Sequence, residues 1–207
     1  MKFDRERFFN GFRDGFGELE QAQSDALNKI LASAEADTDI TSLRWIAYIL
    51  ATIKRECGET WSPTTEQGNP RYFGKYEPGS RLGKMLGNTQ PGDGFTFRGR
   101  GYPQTSGRAN YQKLSDHFGV DFIAQPDLLL DPEWAWKGST SYGMRMGLYS
   151  GRTLAQFIPE DESQPPDYFN ARQIINGHDH AQEIADDAVK FEAILQAALV
   201  KDQTATA

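Results

Sequence analysis

A glutamate at the end of an apolar helical stripe is the first feature of this sequence that could do chemistry. Glu56 follows Ile46, Ile49 and Ile53 at steps of three, four and three residues, so a helix places all four side chains on one face. An acid on an inward face is unusual, because burial removes a carboxylate from water. Such a group either pairs with a base in the core or transfers a proton, as the general acid of a glycoside hydrolase does.

Glycoside hydrolysis needs a second carboxylate across the scissile bond, which lies ~6.5–9.5 Å from the first in inverting enzymes. Three acids follow Glu56 closely: Glu59, Glu66 and Glu77. Glu77 is preferred, because it precedes Pro78-Gly79 in a turn-rich stretch that could present it to a cleft. Glu59 lies one helical turn beyond Glu56 and is expected to fix the helix end. Glu66 is the fallback, and the choice among the three stays open.

Glycine and proline show which elements must position these acids. The stretch from Ser62 to Gly107 contains ten of the 20 glycines and five of the ten prolines, which predicts turns, while the flanking sequences have helical periodicity. A long irregular stretch inside a compact domain is typical of a functional region. The sequence therefore predicts a mainly α fold with little or no β-sheet, in which this stretch lines a cleft between two sets of helices.

Apolar periodicity and capping residues place the helices. The predicted helices are centred on Phe8–Leu19, on Leu27–Ala34, from a Thr41 or Ser42 cap to Gly58, on Tyr111–Phe118 with a Ser106 cap, from Asp131-Pro132 through Tyr149, up to Asn176-Gly177, and on Ile184–Ala198. Acids flank the first of these stripes, so it predicts core packing, and we expect no stable membrane association.

Length and composition limit the class of protein. The chain has 207 residues and 38% apolar residues, enough for one domain with a substantial core. A single cysteine, Cys57, excludes an internal disulfide framework and indicates synthesis in a reducing compartment. The charged N-terminus does not resemble a signal peptide, so we expect a protein made in the cytoplasm. We expect residues 202–207 to be a flexible tail.

The formal charge of −7 is unevenly distributed. Between Arg71 and Lys113 there are eight basic and two acidic residues, which leaves +6 in this segment and −13 in the rest of the chain. A basic segment around the predicted cleft suits an anionic substrate. The Arg-Gly run within Phe97–Tyr102 superficially resembles a single-strand nucleic-acid motif, but one short element in an acidic chain is poor support, and we expect no nucleic-acid partner.

Five blocks in chain order resemble glycoside hydrolase family 19, in the branch of phage endolysins and related bacterial lytic enzymes. The blocks are Arg55–Thr60, Tyr76–Gly83, Leu86–Gly94, Phe97–Tyr111 and Ala171–Gly177. The resemblance covers roughly residues 43–200. It implies one catalytic domain over residues 1–207, in which residues 1–42 form N-terminal helices, residues 43–200 the family-like catalytic region and residues 201–207 the tail.

The resemblance also implies a two-lobed, lysozyme-like fold with a central groove, and hydrolysis of a β-1,4-linked amino-sugar polymer with inversion. Glu56 would be the general acid, Glu77 the carboxylate that activates water, and Ser106 a hydroxyl that holds this water. Other positions match family residues that contact sugars or order the site's carboxylates. The sugar contacts would be Gln104, Asn110, Tyr111 and Asn176, and the ordering residue Arg172. No metal or other cofactor is implied.

The expected substrate is bacterial peptidoglycan, because its peptide carboxylates suit the basic segment better than neutral chitin does. The missing signal sequence favours an endolysin, made as a monomer in the host cytoplasm, released by a separate holin-type protein and active in the periplasm or cell wall. A chitinase acting on chitin oligomers is the first alternative. A non-catalytic wall-binding protein is the second, and retention of Glu56, Glu77 and Ser106 together disfavours it.

Overall fold

The computed structural model describes residues 1–200, except for the side chain of Glu59. Twelve helices are described: α1 Arg5–Phe16, α2 Gln21–Ala36, α3 Leu43–Cys57, α4 Pro70–Phe73, α5 Arg81–Met85, α6 Asp93–Thr96, α7 Arg108–Phe118, α8 Pro132–Trp134, α9 Gly143–Arg145, α10 Leu154–Phe157, α11 Tyr168–Ala171 and α12 Ala181–Ala198. Strands β1 Thr64–Thr65 and β2 Arg100–Gly101 form an antiparallel pair. Single 3-10 turns cover Gly58–Thr60, Gly74–Tyr76, Pro126–Leu130 and Arg172–Ile174. The predicted mainly α fold is confirmed.

Helix α3 is the centre of the larger of two hydrophobic cores, here called the main core. Helix α12 packs along α3, and α1 packs against α12. Ser42 is the N-cap of α3, and Gly58 ends it with φ +58°, a left-handed conformation that favours glycine. These boundaries agree with the sequence prediction. Because α3 is held on almost every side, the side chains at its C-terminal end have fixed positions.

A smaller core, here called the minor core, contains six buried apolar side chains. These are Phe97, Tyr111, Leu114, Phe122, Leu129 and Leu148. A continuous helical stretch from Pro132 to Arg145 lies beside it and is π-helical from Ala135 to Tyr142. The hydroxyls of Ser139 and Thr140 both donate to the Ala135 carbonyl, which accompanies this wider winding. The helix ends at Arg145, earlier than the predicted end near Gly151.

The segment Ser62–Gly107, here called the loop segment, consists of short helices and turns around the β1–β2 pair. Its prediction as a turn-rich region is confirmed. One local prediction is wrong, because α7 has Gly107 and not Ser106 as its N-cap. The Ser106 hydroxyl instead donates to the Gln104 carbonyl over 3.2 Å, so this hydroxyl faces its own loop and not the helix start.

A cavity of about 520 Å³ lies between the C-terminal end of α2 and the π-helical stretch, and none of its lining residues is a candidate site residue. Within residues 1–200, every helix is too short or too polar to cross a bilayer. The predicted flexible tail lies outside the described residues. The division of the chain into N-terminal helices and a catalytic region, and the central groove, stay predictions.

Candidate active site

Glu56 lies on the last turn of α3, and its carboxylate is held by a buried arginine. The Arg172 Nη1 atom donates to Glu56 Oε1 over 2.6 Å, and Arg172 Nε donates to the Asp179 carbonyl over 2.9 Å. The Arg172 side chain is only 3% exposed, whereas that of Glu56 is 21% exposed. The predicted ordering residue therefore contacts the predicted general acid, and one edge of the carboxyl group stays open to solvent.

Cys57, the neighbour of Glu56, packs against the glycine-rich loop. Its thiol donates weakly to the Tyr102 carbonyl over 3.5 Å. Burial raises the pKa of Cys57 to about 12, and the negative charge of Glu56 adds to this effect. The thiol is therefore a structural group, and its contact joins the end of α3 to the loop that carries Gln104 and Ser106.

Glu66 follows β1 and faces the same loop. Its backbone N–H donates to the Gly99 carbonyl over 2.8 Å, and Gly99 N–H donates to Glu66 Oε2 over 3.3 Å. Tyr72 and Tyr76 both donate their hydroxyls to Glu66 Oε1 over 3.1 Å, and Lys75 Nζ lies 3.8 Å away. Burial, and then the charge of Glu66, raise the pKa of Tyr76. The side chain of Glu66 is thus fixed by surrounding donors, with a fifth of it exposed.

Glu66 also lies close to Ser106. A Cβ atom placed on Gly99 would lie 3.3 Å from Ser106 Oγ and 2.6 Å from Gln104 Oε1, so the backbone of Gly99 lies directly beside both side chains. Gln104, which has φ +61°, donates its side-chain amide to Thr64 Oγ1 over 2.8 Å. The structure therefore brings Glu66, Gln104 and Ser106 together around β1 and Gly99.

Glu77 occupies a different position. Its Oε2 accepts from Gly92 N–H over 2.8 Å, and its Oε1 accepts from Gly94 N–H over 3.0 Å, so both oxygens hold the start of α6. Asp93 strengthens the same turn by accepting from Thr89 N–H and Gln90 N–H. The Glu77 carboxylate is therefore a backbone anchor of the loop segment. The Glu59 side chain lies outside the described part of the chain.

The predicted sugar contacts divide into two groups. Asn110 donates its side-chain amide to the Ser106 carbonyl over 2.8 Å, and Asn176 is exposed on the turn after Arg172. Tyr111 is fully buried in the minor core, where its hydroxyl donates to the Arg98 carbonyl and accepts from Arg100. It has no exposed ring face for a sugar, so the structure does not support its prediction as a sugar contact.

Sequence reasoning missed the two tyrosines that hold Glu66. Tyr72 and Tyr76 are four residues apart, and this spacing could have indicated two hydroxyls on one side of a short helix. The target of these hydroxyls could not be inferred, because Glu66 reaches them only through the turn between β1 and α4. Among the described side chains, no cluster of His, Cys, Asp and Glu has the geometry of a metal site.

Comparison with known proteins gives matches among solved structures. No protein-family model and no curated protein sequence matches this chain. Chitinase C from Streptomyces griseus HUT6037 is similar, with a TM-score of 0.56 and 21% identity over 96% of this chain and 95% of that chain. A mutant of chitinase C gives a TM-score of 0.55 at 21% identity over the same shares. A bacterial family 19 chitinase gives 0.52 at 20% identity over 90% and 93%.

These similarities extend over nearly the whole length of both chains, at identities that are informative about the fold. They agree with the five blocks in the sequence, which predicted the same family by resemblance. The chain therefore has the mainly α, lysozyme-like fold of the family 19 chitinases.

Proposed function

We propose that this protein is a chitinase-like glycoside hydrolase that cleaves β-1,4 bonds between amino sugars by an inverting general acid and general base mechanism. The observation that carries the proposal is the arrangement of two part-exposed carboxylates around one loop. Cys57, the neighbour of Glu56, is hydrogen-bonded to the Tyr102 carbonyl of this loop. Glu66 itself accepts a hydrogen bond from Gly99 N–H of the same loop. The chitinase fold supports the same reaction class.

In this proposal Glu56 is the general acid. Its carboxyl group has one oxygen on the buried Arg172, which sets its orientation, and an exposed edge that can protonate a leaving sugar oxygen. Arg172 does not reach the substrate but holds Glu56 in place. The backbone carbonyl of Asp179 in turn fixes the arginine.

Glu66, and not the initially preferred Glu77, is the proposed general base. A general base must lie within hydrogen-bond reach of the attacking water. Glu77 has both oxygens on backbone N–H groups of a loop, so removing a proton with it would weaken that loop. Glu66 has shorter contacts to side-chain hydroxyls than to the backbone, and it lies beside Ser106, whose hydroxyl can help to hold the water. Gln104, Asn110 and Asn176 are proposed sugar contacts.

The proposed substrate is bacterial peptidoglycan, and the proposed role is that of an endolysin that degrades the cell wall after release by a separate holin-type protein. The support is chemical. Five of the eight basic side chains in the +6 segment have no acidic partner among the described residues, and neutral chitin offers no carboxylates for them. Chitin remains the alternative, because the similar solved structures are chitinases.

Paired glutamine substitutions test the choice of base. Glu66→Gln should lower turnover of purified glycan roughly 10²–10⁴-fold while substrate binding is retained, because only proton abstraction is lost. Glu77→Gln should lower the unfolding midpoint, because its new NH2 group faces a backbone N–H, and should leave most of the turnover. Glu59→Gln is the third member of the series. If Glu77→Gln alone abolishes turnover in a folded protein, Glu77 is the base and the assignment of Glu66 is wrong.

Product analysis tests the reaction and the substrate. Mass spectrometry of digested peptidoglycan should give fragments cut at sugar linkages, with stem peptides intact. Peptide-bond cleavage would contradict the proposed reaction class. Soluble oligomers from chitin, without fragments from peptidoglycan, would establish the chitinase alternative.

A further inference from the structure

The loop segment carries an exposed ridge formed by the outer face of helix α5. Gly83 is the inward residue of α5, since a Cβ atom there would lie 2.1 Å from the Glu77 carbonyl oxygen and 2.7 Å from that of Tyr76. Arg81 and Met85 lie two residues on either side of Gly83, about 200° around the helix, and so point outward. Leu82 and Lys84 flank them. We call Arg81, Leu82, Lys84 and Met85 the α5 ridge.

Apolar side chains on this ridge are unusually exposed. Met85 is 72% exposed and Leu82 is 42% exposed. In the described part of the chain nine large apolar side chains are exposed, and four of them lie between positions 72 and 95. Clustering of this kind marks a contact surface more often than single exposed residues do.

The cations of the ridge are uncompensated. Among the described side chains, Arg81 and Lys84 form neither an ion pair nor a hydrogen bond, and the same holds for Arg71 at the start of the loop segment. Three other bases of the +6 segment are paired with acids: Lys75 with Glu66, Arg100 with Asp127 and Arg108 with Asp93. Beside the exposed Leu82 and Met85, these free cations form a surface that is complementary to a negatively charged, partly apolar partner.

The acids of the loop segment are already occupied by other groups. Glu66 accepts from Tyr72 and Tyr76, Glu77 accepts from Gly92 and Gly94, and Asp93 accepts from Arg108. None of them can turn to the ridge without breaking these contacts. The free cations therefore have no available carboxylate partner among these acids of the loop segment.

Helix α5, which carries the ridge, is connected to the proposed base by a single residue. The backbone of Tyr76 lies under Gly83, and its side-chain hydroxyl donates to Glu66 over 3.1 Å. The inner side of α5 is therefore linked to Glu66 through Tyr76, and the ridge lies on the outer side of the same helix.

We propose that the α5 ridge binds the carboxylates of the peptide stems of peptidoglycan, and so selects this polymer over neutral chitin. This inference rests on the proposed function. The stems combine carboxylates with the methyl groups of their alanine residues and of the sugar-linked lactyl group. The two cations pair with the carboxylates, and Leu82 and Met85 cover the methyl groups. The site is thus specific for a charged, branched glycan.

The test compares native peptidoglycan with peptidoglycan whose carboxylates have been converted to amides. Retention on native peptidoglycan at low salt should exceed retention on the amidated form, and the variant with Arg81→Glu and Lys84→Glu should lower it about tenfold. The control variant with Lys29→Glu and Lys113→Glu has the same net charge and changes two free cations outside the ridge. It should retain wild-type binding.

Three outcomes would overturn the inference. They are equal loss of retention in the ridge and control variants, equal retention on native and amidated peptidoglycan, and retention on phosphatidylglycerol vesicles as strong as on native peptidoglycan, which would make the ridge a lipid-binding surface. Hydrolysis of neutral amino-sugar oligomers is measured in parallel. The ridge variant should cleave them at the wild-type rate. If no glycan is cleaved at all, the proposed function fails while the retention assay still decides the role of the ridge.

Discussion

The two regions that carry the candidate acids hold them in different ways. In the main core, Glu56 sits on a 15-residue helix and has one strong partner, the buried Arg172. In the loop segment, Glu66 and Glu77 are held by several weaker donors on short elements and turns. A long helix sets the direction of its side chains by its own period, whereas a loop sets them only through its tertiary contacts.

This difference affects how each acid can be used. A carboxylate whose two oxygens both hold backbone N–H groups, as in Glu77, cannot leave its partners without structural loss, whereas a carboxylate on a rigid helix can exchange a proton without moving its support. The same chemical group is therefore an anchor at Glu77 and a candidate reactive group at Glu56.

The largest expected effect is at Glu56. Glu56→Gln removes the proton donor and keeps an oxygen that can accept from Arg172, so glycan hydrolysis should fall roughly 10²–10⁴-fold with little change in the unfolding midpoint. Initial rates and circular dichroism melting curves measure the two quantities. Hydrolysis within tenfold of wild type by the folded variant would refute the role of Glu56.

The second prediction concerns the support of Glu56. Arg172→Met leaves a part-buried carboxylate without its partner, and we expect a loss of about 1–3 kcal/mol in the free energy of unfolding, less than for a fully buried pair because Glu56 is 21% exposed. Denaturant titration measures this loss. Adding Glu56→Gln should recover part of it, because no unpaired charge remains. Strictly additive losses would contradict a direct pairing.

A smaller effect is expected at Ser106. Ser106→Ala should lower turnover about tenfold, through loss of one hydrogen bond to the attacking water, with unfolding free energy within about 0.5 kcal/mol of wild type. Thr105→Val is the matched control. It removes the buried hydroxyl that is hydrogen-bonded to the Tyr149 hydroxyl over 3.0 Å. The free energy of unfolding should therefore fall by about 1 kcal/mol, while turnover stays at the wild-type level. The reverse pattern would remove Ser106 from the mechanism.

The smallest effect is an acid-dependent one in the loop segment. Burial of Asp93, which is 2% exposed, acts to raise its pKa, but hydrogen bonds from Arg108, Gln90 and Thr89 outweigh it, so the pKa lies below its ordinary value of 3.8. Its stabilising contribution is therefore complete above about pH 4 and is lost as the pH falls through the folded-state pKa.

Melting temperatures between about pH 5 and pH 3 test this prediction. Asp93→Asn should melt lower than wild type at neutral pH and show a flatter decline on acidification. Part of the decline should remain, because the pKa of Glu35 on α2 is also lowered: burial opposes this shift, but the hydrogen bonds from Arg5 and Phe3 outweigh it. A variant with the full wild-type slope would mean that Asp93 is not responsible for acid sensitivity in the loop segment.

Local sequence patterns predicted the helices well where a helix has clear ends. Helix α3 begins after Ser42 and ends at Gly58, as the capping residues indicated, and Glu56 lies where the isoleucine spacing placed it. The predictions failed where a side chain forms a hydrogen bond to a partner that the local sequence pattern does not indicate. Ser106 turns to the Gln104 carbonyl and leaves the cap of α7 to Gly107, and the hydroxyls of Ser139 and Thr140 accompany a π-helical stretch in a helix that ends early.

The sequence by itself determined the helical class, the frame of the main core, the turn-rich loop segment and the identity of Glu56 as an acid on an inward face. These features follow from periodicity and caps, which act over a few residues. Only the tertiary structure decided which later acid faces the same loop as Glu56. Glu66 is hydrogen-bonded to Gly99, which lies 33 residues further along the chain. Glu77 is hydrogen-bonded to Gly92 and Gly94, which lie 15 and 17 residues further along. Such long-range backbone contacts leave no local pattern, so the anchor and the candidate base became distinguishable only in the folded chain.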